Sequence, residues 1–285
     1  MVTKYYDCHT HLFPEGRMGG LMRWIHRALP DFQVPVDITA DQAVLDLRAS
    51  GAVRWANLIF PISAGEATAL HAFGSALADR VEEITPFGGV HVDDTDPVGV
   101  VEEAFDGFGM AGLKFHPMVQ QFDPWDERLS GVLAFVEGRR VPIYVHTGYD
   151  EWYGHEFDRE GMESMLARYP AMPVVLPHLG FPDLAWAFGL AERFPQVWLD
   201  LTNVPGSFDW FGASDDDDDL RQTLFDGVER FRDRVLMGTD YPAGMGNLDQ
   251  ILAQYRSVGF SDAQLEHIMV DSTKAFFDRF ARPRP

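Results

Sequence analysis

Five of the ten histidines close short apolar runs, and they do so beside a lysine and an aspartate of the same kind. His9 and His11 sit in YYDCHTH, Lys114 and His116 in GLKFHP, His146 in VPIYVHTG, His178 in MPVVLPHLG and Asp240 in RVLMGTDYP. Imidazole and carboxylate serve both as metal ligands and as proton-transfer groups near neutral pH. Side chains two apart in a strand face the same side, so His9 and His11 point together and make half of a zinc site. His146 can add a third nitrogen and Asp240 a carboxylate oxygen. Such a set still leaves a position for water, and a divalent ion lowers the pKa of that water. A base must then take the proton, and Asp240 and His178 are the candidates. Lys114 and His116, again two apart, face one way towards the substrate. Lys114 can bind a substrate carboxylate or, if carboxylated, bridge two metals with His178 on the second ion.

These residues meet only if the strands carrying them converge. Strand-like runs lie near 4–9, 53–60, 86–92, 111–116, 141–146, 173–178, 196–201 and 235–239. Runs such as VVL and PIYV suit strands buried on both faces of a parallel sheet. Helical patterns lie near 40–51, 65–83, 97–108, 126–139, 157–169, 183–193, 217–232 and 247–258, with a last one near 261–281. Thr39 or Asp41 can cap the first helix and Asp183 the sixth. The alternation predicts an α/β fold, a (β/α)8 TIM barrel, as one domain over 1–285. A doubly wound open sheet would explain the strands but would not bring the first and eighth together. In a barrel, the C-terminal strand ends form the active rim.

Three connections are long, 12–38, 147–156 and 202–216, and all leave C-terminal strand ends. Their aromatics Trp24, Tyr149, Trp152, Tyr153, Phe208, Trp210 and Phe211 are candidate pocket walls. Arg17 and Arg54 are candidate anion clamps, and His155 lies on a candidate lid. The run Asp215–Asp219 reads as a solvated helix N-terminus rather than a cation site, because contiguous carboxylates cannot all converge on one ion.

The 285 residues are 46% hydrophobic and 13% aromatic, enough for a large core. No transmembrane run and no signal-peptide pattern is visible, so a cytoplasmic location is expected. The one cysteine, Cys8, can form no internal disulfide and reads as a small buried side chain facing the helices. The 23 basic residues against 44 acidic ones give a charge of −21. Such a surface repels nucleic acid and anionic membranes, leaving a small molecule as the expected partner. The basic residues are nearly all Arg, with Lys at 4, 114 and 274 only.

The strings DCHTHLFPEG, GLKFHP, VHTG, PHLG and GTDYP resemble the amidohydrolase superfamily. The nearest branch is the amidohydrolase-related family that includes the aminocarboxymuconate-semialdehyde decarboxylase-like enzymes. The resemblance runs in order from Asp7 to Asp240. It implies that His9, His11, His146 and Asp240 bind one zinc and that His178 is the catalytic histidine. Lys-x-His stands where some members carry a bridging carboxylate, so manganese or a second ion stays open. The implied activity is hydrolysis of an amide, lactone or related carbonyl centre. Non-oxidative decarboxylation of a small unsaturated or aromatic acid uses the same ligands and remains the alternative, ahead of a non-catalytic binding barrel. The resemblance also leaves a homodimer open.

An Asp-rich, Lys-poor surface is similar to those of halophilic proteins. Self-repulsion among so many carboxylates weakens as salt screens it. The melting temperature is therefore expected to rise from low to multimolar salt; a melt no less stable at low salt would remove the halophilic reading.

Overall fold

The computed structural model describes residues 2–148, 154–210 and 217–280. Eight parallel strands follow one another: β1 (Tyr5–Thr10), β2 (Ala52–Leu58), β3 (Ile84–Phe87), β4 (Leu113–Phe115), β5 (Ile143–Val145), β6 (Val174–Pro177), β7 (Val197–Asp200) and β8 (Val235–Leu236). Ladders join β1 to β3 and β4 to β8 in chain order. The Gly88 N–H donates to Gly112 O at 3.0 Å and the Lys114 N–H to Gly88 O at 2.8 Å, which joins β3 to β4. The Cys8 N–H reaches Met237 O at 2.8 Å, and the Asp240 N–H reaches His9 O at 2.7 Å, which joins β8 to β1. With both gaps bridged, the sheet closes as a (β/α)8 barrel.

Helices alternate with the strands. After β1 come α1 (Glu15–Ala28) and α2 (Ala40–Ser50); α3 (Ala67–Arg80) and α4 (Pro97–Asp106) follow β2 and β3. After β4 come α5 (Pro117–Gln120) and α6 (Ser130–Arg139); α7 (Arg159–Arg168) and α8 (Leu184–Arg193) follow β5 and β6. After β7 come α9 (Val204–Trp210) and α10 (Asp217–Arg230); α11 (Leu248–Ser257), α12 (Asp262–Glu266) and α13 (Thr273–Phe280) complete the chain's helices as described. Thr39 caps α2 and Asp183 caps α8, each accepting a backbone N–H from its first turn. No helix among the described residues is long and apolar enough to cross a membrane.

Two of the three long connections carry helices of their own, α1 and α9. In α1, Met18, Met22 and Ile25 supply a buried stripe at helical spacing. Three glycines in the same segment mask that signal, because each weakens helix propensity.

The barrel interior holds Ala56, Leu58, Phe87, Tyr144, Val175 and Trp198, with Phe276 and Phe277 of α13 packed in the same cluster. Cys8 belongs to this interior cluster and does not face the helices as expected from its sequence position. The β1–β2 register explains the difference. Asp7 pairs with Trp55 and Thr10 with Asn57, so β1 carries one residue more than its partner between them. That bulge turns Cys8 inwards while leaving His9 and His11 at the mouth.

Around the outside, Arg–carboxylate pairs tie neighbouring elements. Arg80 on α3 meets Asp41 on α2 at 3.1 Å, Arg139 on α6 meets Asp106 on α4 at 2.7 Å, and Arg193 on α8 meets Glu163 on α7 at 2.7 Å. All are exposed, so water and salt screen them and each contributes little.

One buried carboxylate reinforces the backbone closure between β1 and β8. Asp7 accepts the His9 N–H at 3.0 Å, the Thr239 N–H at 3.0 Å and the Thr239 hydroxyl at 2.6 Å. Burial pushes its carboxyl up to about 7, against those three donors, which favour the anion. Asp7→Ala would strand three buried donors at about 1–3 kcal/mol each. Urea unfolding in high salt is expected to show a loss of about 3 kcal/mol or more. A loss below about 1 kcal/mol would mean that β1 and β8 close without this clamp.

Candidate metal centre and active site

At the C-terminal rim, His9, His11 and Asp240 bring three ligand atoms together. His9 Nε2 lies 3.1 Å from His11 Nε2, and Asp240 Oδ1 lies 3.4 Å from the first and 3.1 Å from the second. The partners of the other ring nitrogens fix the tautomers. His9 Nδ1 donates to Asp200 Oδ2 at 2.7 Å, and His11 Nδ1 donates to the Leu58 carbonyl at 2.6 Å. With Nδ1 so engaged, each ring in its neutral form presents a bare Nε2 lone pair to the other and to a carboxylate oxygen. Burial, with Lys114 adding to it, holds His9 well below the usual imidazole range, so it stays neutral. Three lone pairs this close repel one another unless a cation lies between them. Ligand distances of about 2.0–2.2 Å around zinc give edges of this size, so the donor set fits a divalent ion.

The carboxylate is aimed by a residue that sequence reading missed. Asn203 donates from Nδ2 to Asp240 Oδ2 at 2.8 Å, leaving Oδ1 to face the imidazoles. Burial alone would raise the Asp240 carboxyl, but the positive charge that His9, His11 or His178 carries whenever it takes a proton outweighs burial and holds the carboxyl far below the carboxylate range. His178, Asn203 and Asp240 all sit at positive φ, 65°, 64° and 61°. Non-glycine residues in that region cost energy, and such outliers collect at functional sites. Asp200, which closes β7 in VWLDLTN, was also missed. It receives the Thr202 N–H and hydroxyl on Oδ1 and so offers Oδ2 to His9. Its signal was the pattern already used elsewhere, a polar residue ending an apolar strand.

His146 lies outside the group of three and joins a neighbouring stack of imidazoles. Its Nδ1 is 3.2 Å from His178 Nε2, and its ring stacks on His116 with centroids 3.7 Å apart. The His178 ring centroid is 5.3 Å from that of His9, so the stack borders the triad. His178 Nδ1 donates to the Thr202 carbonyl at 2.8 Å, which leaves Nε2 as its proton acceptor. Burial lowers the pKa of His178 and keeps His116 and His146 well below the usual range. Lys114 is wholly buried, with Nζ 3.4 Å from His9 Nε2, and burial brings its amine down to about 8.

A cavity of about 590 Å³ opens over the triad, and Phe13, Arg17, Trp24, Phe60 and Met118 line it with His11 and Asp240. Arg17 is thus at the rim. Arg54 is not: it donates to Thr85 Oγ1 and lies 4.9 Å over Phe277, at the opposite end of the barrel. Phe208 is buried against Phe181, away from the cavity lining. His155 pairs with Asp123 at 3.2 Å. Tyr149, Trp152, Tyr153, Phe211, Asp215 and Asp216, and the Trp210 and Asp217 side chains, lie outside the described residues.

Carboxylates behind metal-binding histidines typically carry 10- to 100-fold in affinity. Asp200→Asn is therefore expected to weaken zinc binding by about that factor in a competition titration against a chromogenic chelator. Unchanged affinity would mean that the Asp200 contact does not hold the His9 ring for metal.

Among solved structures, an uncharacterised TIM-barrel protein from Bordetella bronchiseptica is 17% identical, with a TM-score of 0.72 over 98% of this chain and 100% of that one. A dihydroxybenzoic acid decarboxylase from Polaromonas sp. JS666, with bound manganese and the inhibitor 2-nitroresorcinol, is 15% identical, with a TM-score of 0.70 over 97% of each chain. A protein from Pseudomonas putida, provisionally named a 2-pyrone-4,6-dicarboxylic acid hydrolase, is 16% identical, with a TM-score of 0.64 over 98% of each. At such identity these likenesses speak for the fold, and no curated protein matches. The amidohydrolase family profile matches residues 6–279, nearly the whole chain, and the chain accordingly belongs to the amidohydrolase family, a family of enzymes that includes both hydrolases and decarboxylases.

Proposed function

We propose that this chain is a metal-dependent hydrolase acting on an amide, lactone or related carbonyl centre of a small molecule. The observation that carries the reading is the buried triangle of two bare imidazole nitrogens and one carboxylate oxygen beside an imidazole, His178, with its Nε2 turned inwards. His9, His11 and Asp240 would hold one zinc or manganese ion. When bound, such an ion polarises a carbonyl and lowers the pKa of water. His178 then accepts a proton at Nε2 while Thr202 keeps its ring oriented through Nδ1. Asp240 offers Oδ1 only, because Asn203 occupies Oδ2. His116 lines the cavity, and Lys114 is buried beside His9. The protonated fraction of Lys114 can balance a developing oxyanion, and its neutral fraction, at a pKa of about 8, is able to take up carbon dioxide.

Decarboxylation of a small unsaturated or aromatic acid is the second reading, and the aromatic pocket wall favours it. A carboxylate seated among Phe13, Phe60 and Trp24 loses its hydration, which favours loss of carbon dioxide. His178 would then deliver a proton to carbon. Trapped carbon dioxide against newly formed carboxylate or alcohol, measured across a panel of lactones, amides and aromatic acids, separates the two. In either case the acidic, Lys-poor exterior supports work in multimolar salt, so the assays belong there.

Elemental analysis is expected to give about one divalent ion per chain, because three ligands converge at one point. Two ions with the added mass of one carbon dioxide on Lys114 would shift the reading to a bridged pair. His178→Gln is expected to keep the metal and lower kcat by about 10²- to 10⁴-fold, the range of general acid–base catalysis. A loss of only a few-fold with full metal would remove His178 from the proton path.

A further inference from the structure

Folded chains normally turn polar groups to water and apolar groups away from it. The cavity over the triad reverses that order. Its buried end is polar: His11, His116 and Asp240 line it and are 6%, 6% and 8% exposed. Its outer end is apolar. Ile62, 42% exposed and one of three large apolar side chains left in solvent among the described residues, lines the same space. Leu21, Trp24, Ile25, Phe60 and Met118 make up much of the remaining wall. Arg17 is the cation of that lining among the described residues, and it is already engaged. Its guanidinium lies 5.4 Å over the Phe13 ring and 5.9 Å over the Phe60 ring, with Glu66 at 3.7 Å, so its charge is balanced within the wall.

The face of α1 widens this space. Gly16, Gly20 and Trp24 recur at four-residue spacing on the lining. Glycine weakens a helix. Yet a Cβ built on Gly16 or Gly20 would meet nothing within 4 Å, whereas one on Gly19, off the lining, would meet Arg23 at 3.1 Å. Packing within the protein therefore does not demand glycine at 16 and 20. Two side chains missing from one face of a helix, about 6 Å apart along its axis, leave a slot about one side chain wide. The whole cavity is about 590 Å³, within the range that takes a drug-sized molecule and far more than a carbonyl group needs.

We propose that the cavity selects amphipathic substrates: a polar head at the triad, and an unbranched apolar tail lying in the slot over Gly16 and Gly20 towards Ile62. Such a molecule meets the buried imidazoles and carboxylate with polar atoms and covers the apolar mouth with methylenes, so neither end is left unmatched. A narrow slot suits a single chain. The role of the head as the reacting carbonyl rests on the function proposed above; the seating of the tail does not.

The test uses straight-chain alkyl hydroxamates, from acetyl to octanoyl, as probes of the metal-loaded protein by calorimetry at one fixed high salt concentration. Affinity is expected to rise about twofold or more per added methylene, where full burial would give about fourfold. Gly20→Leu is expected to flatten the series, and Gly20→Ala to lose part of the gain. Leucine and alanine are better helix formers than glycine, so both variants are expected to melt no lower than the native protein. A flattened series then cannot come from unfolding. Equal binding across the series by the native protein, or no binding by any member, would overturn the proposal. So would a gain with chain length that survives Gly20→Leu, because simple partition onto the surface would do the same. If the gain depends on Gly20 but nothing in the lactone, amide and acid panel turns over, the proposed activity fails and the seating of the tail stands. If short lactones or amides turn over and lengthening their chains changes neither binding nor kcat/KM, the seating fails and the activity stands.

Discussion

Two bare imidazole nitrogens and a carboxylate oxygen lie within 3.4 Å of one another in a buried cup, and this repulsion constrains the surrounding structure. Left alone, the side chains would relax apart or take up protons. Each is held by a contact on its far side. Asp200 grips His9, the Leu58 carbonyl grips His11, and Asn203 grips Asp240. Those contacts also choose the tautomers and the carboxylate oxygen, so orientation and ligand basicity come from the same hydrogen bonds.

The clamps depend in turn on barrel closure. Asp7 ties β1 to the segment after β8 through the backbone of His9 and Thr239, one residue before Asp240. Gly238 lets the strands come close enough: a Cβ there would sit 2.0 Å from Thr202 Oγ1 and 2.7 Å from His9 Cβ. Position 238 therefore tolerates no side chain without parting β1, β7 and β8 at the ligand positions. The left-handed backbone at His178, Asn203 and Asp240 belongs to the same economy, because closing hydrogen bonds hold conformations that these residues would not adopt freely.

Much of this was legible in the sequence because the signals are short-range. Period-two spacing puts His9 with His11 and Lys114 with His116, and apolar runs ending in polar residues place the strand ends. What escaped depends on particulars that the period does not carry. The bulge in β1 reversed the side on which Cys8 packs. Asn203 reaches Asp240 from a loop position whose left-handed backbone is set only in the closed barrel. His146 has a ligand's residue type and strand end, yet in this geometry its nearest partners are His116 and His178. Arg54 and Arg17 look alike as sequence, but one stands at the foot of the barrel and the other at its mouth, a difference set by which end of β2 or β1 each one adjoins.

The exterior and the pocket make opposite electrostatic demands. A formal net charge of −21 repels anions, whereas Arg17 lines the cavity and Lys114 is buried beside His9, which sets two basic groups at the mouth of the barrel. At low ionic strength the outer field would slow the approach of any carboxylate. In molar salt the screening length falls to about 3 Å, shorter than the distance between neighbouring helices, and the outer field vanishes beyond the first layer of solvent. Buried contacts are screened far less. High salt would therefore remove the repulsion outside while leaving buried interactions in place, so an acidic shell and basic groups at the barrel mouth are compatible in that medium. The surface arginine pairs, by contrast, lie in the screened layer, which leaves the buried Asp7 clamp and the apolar core as the interactions that hold the barrel there.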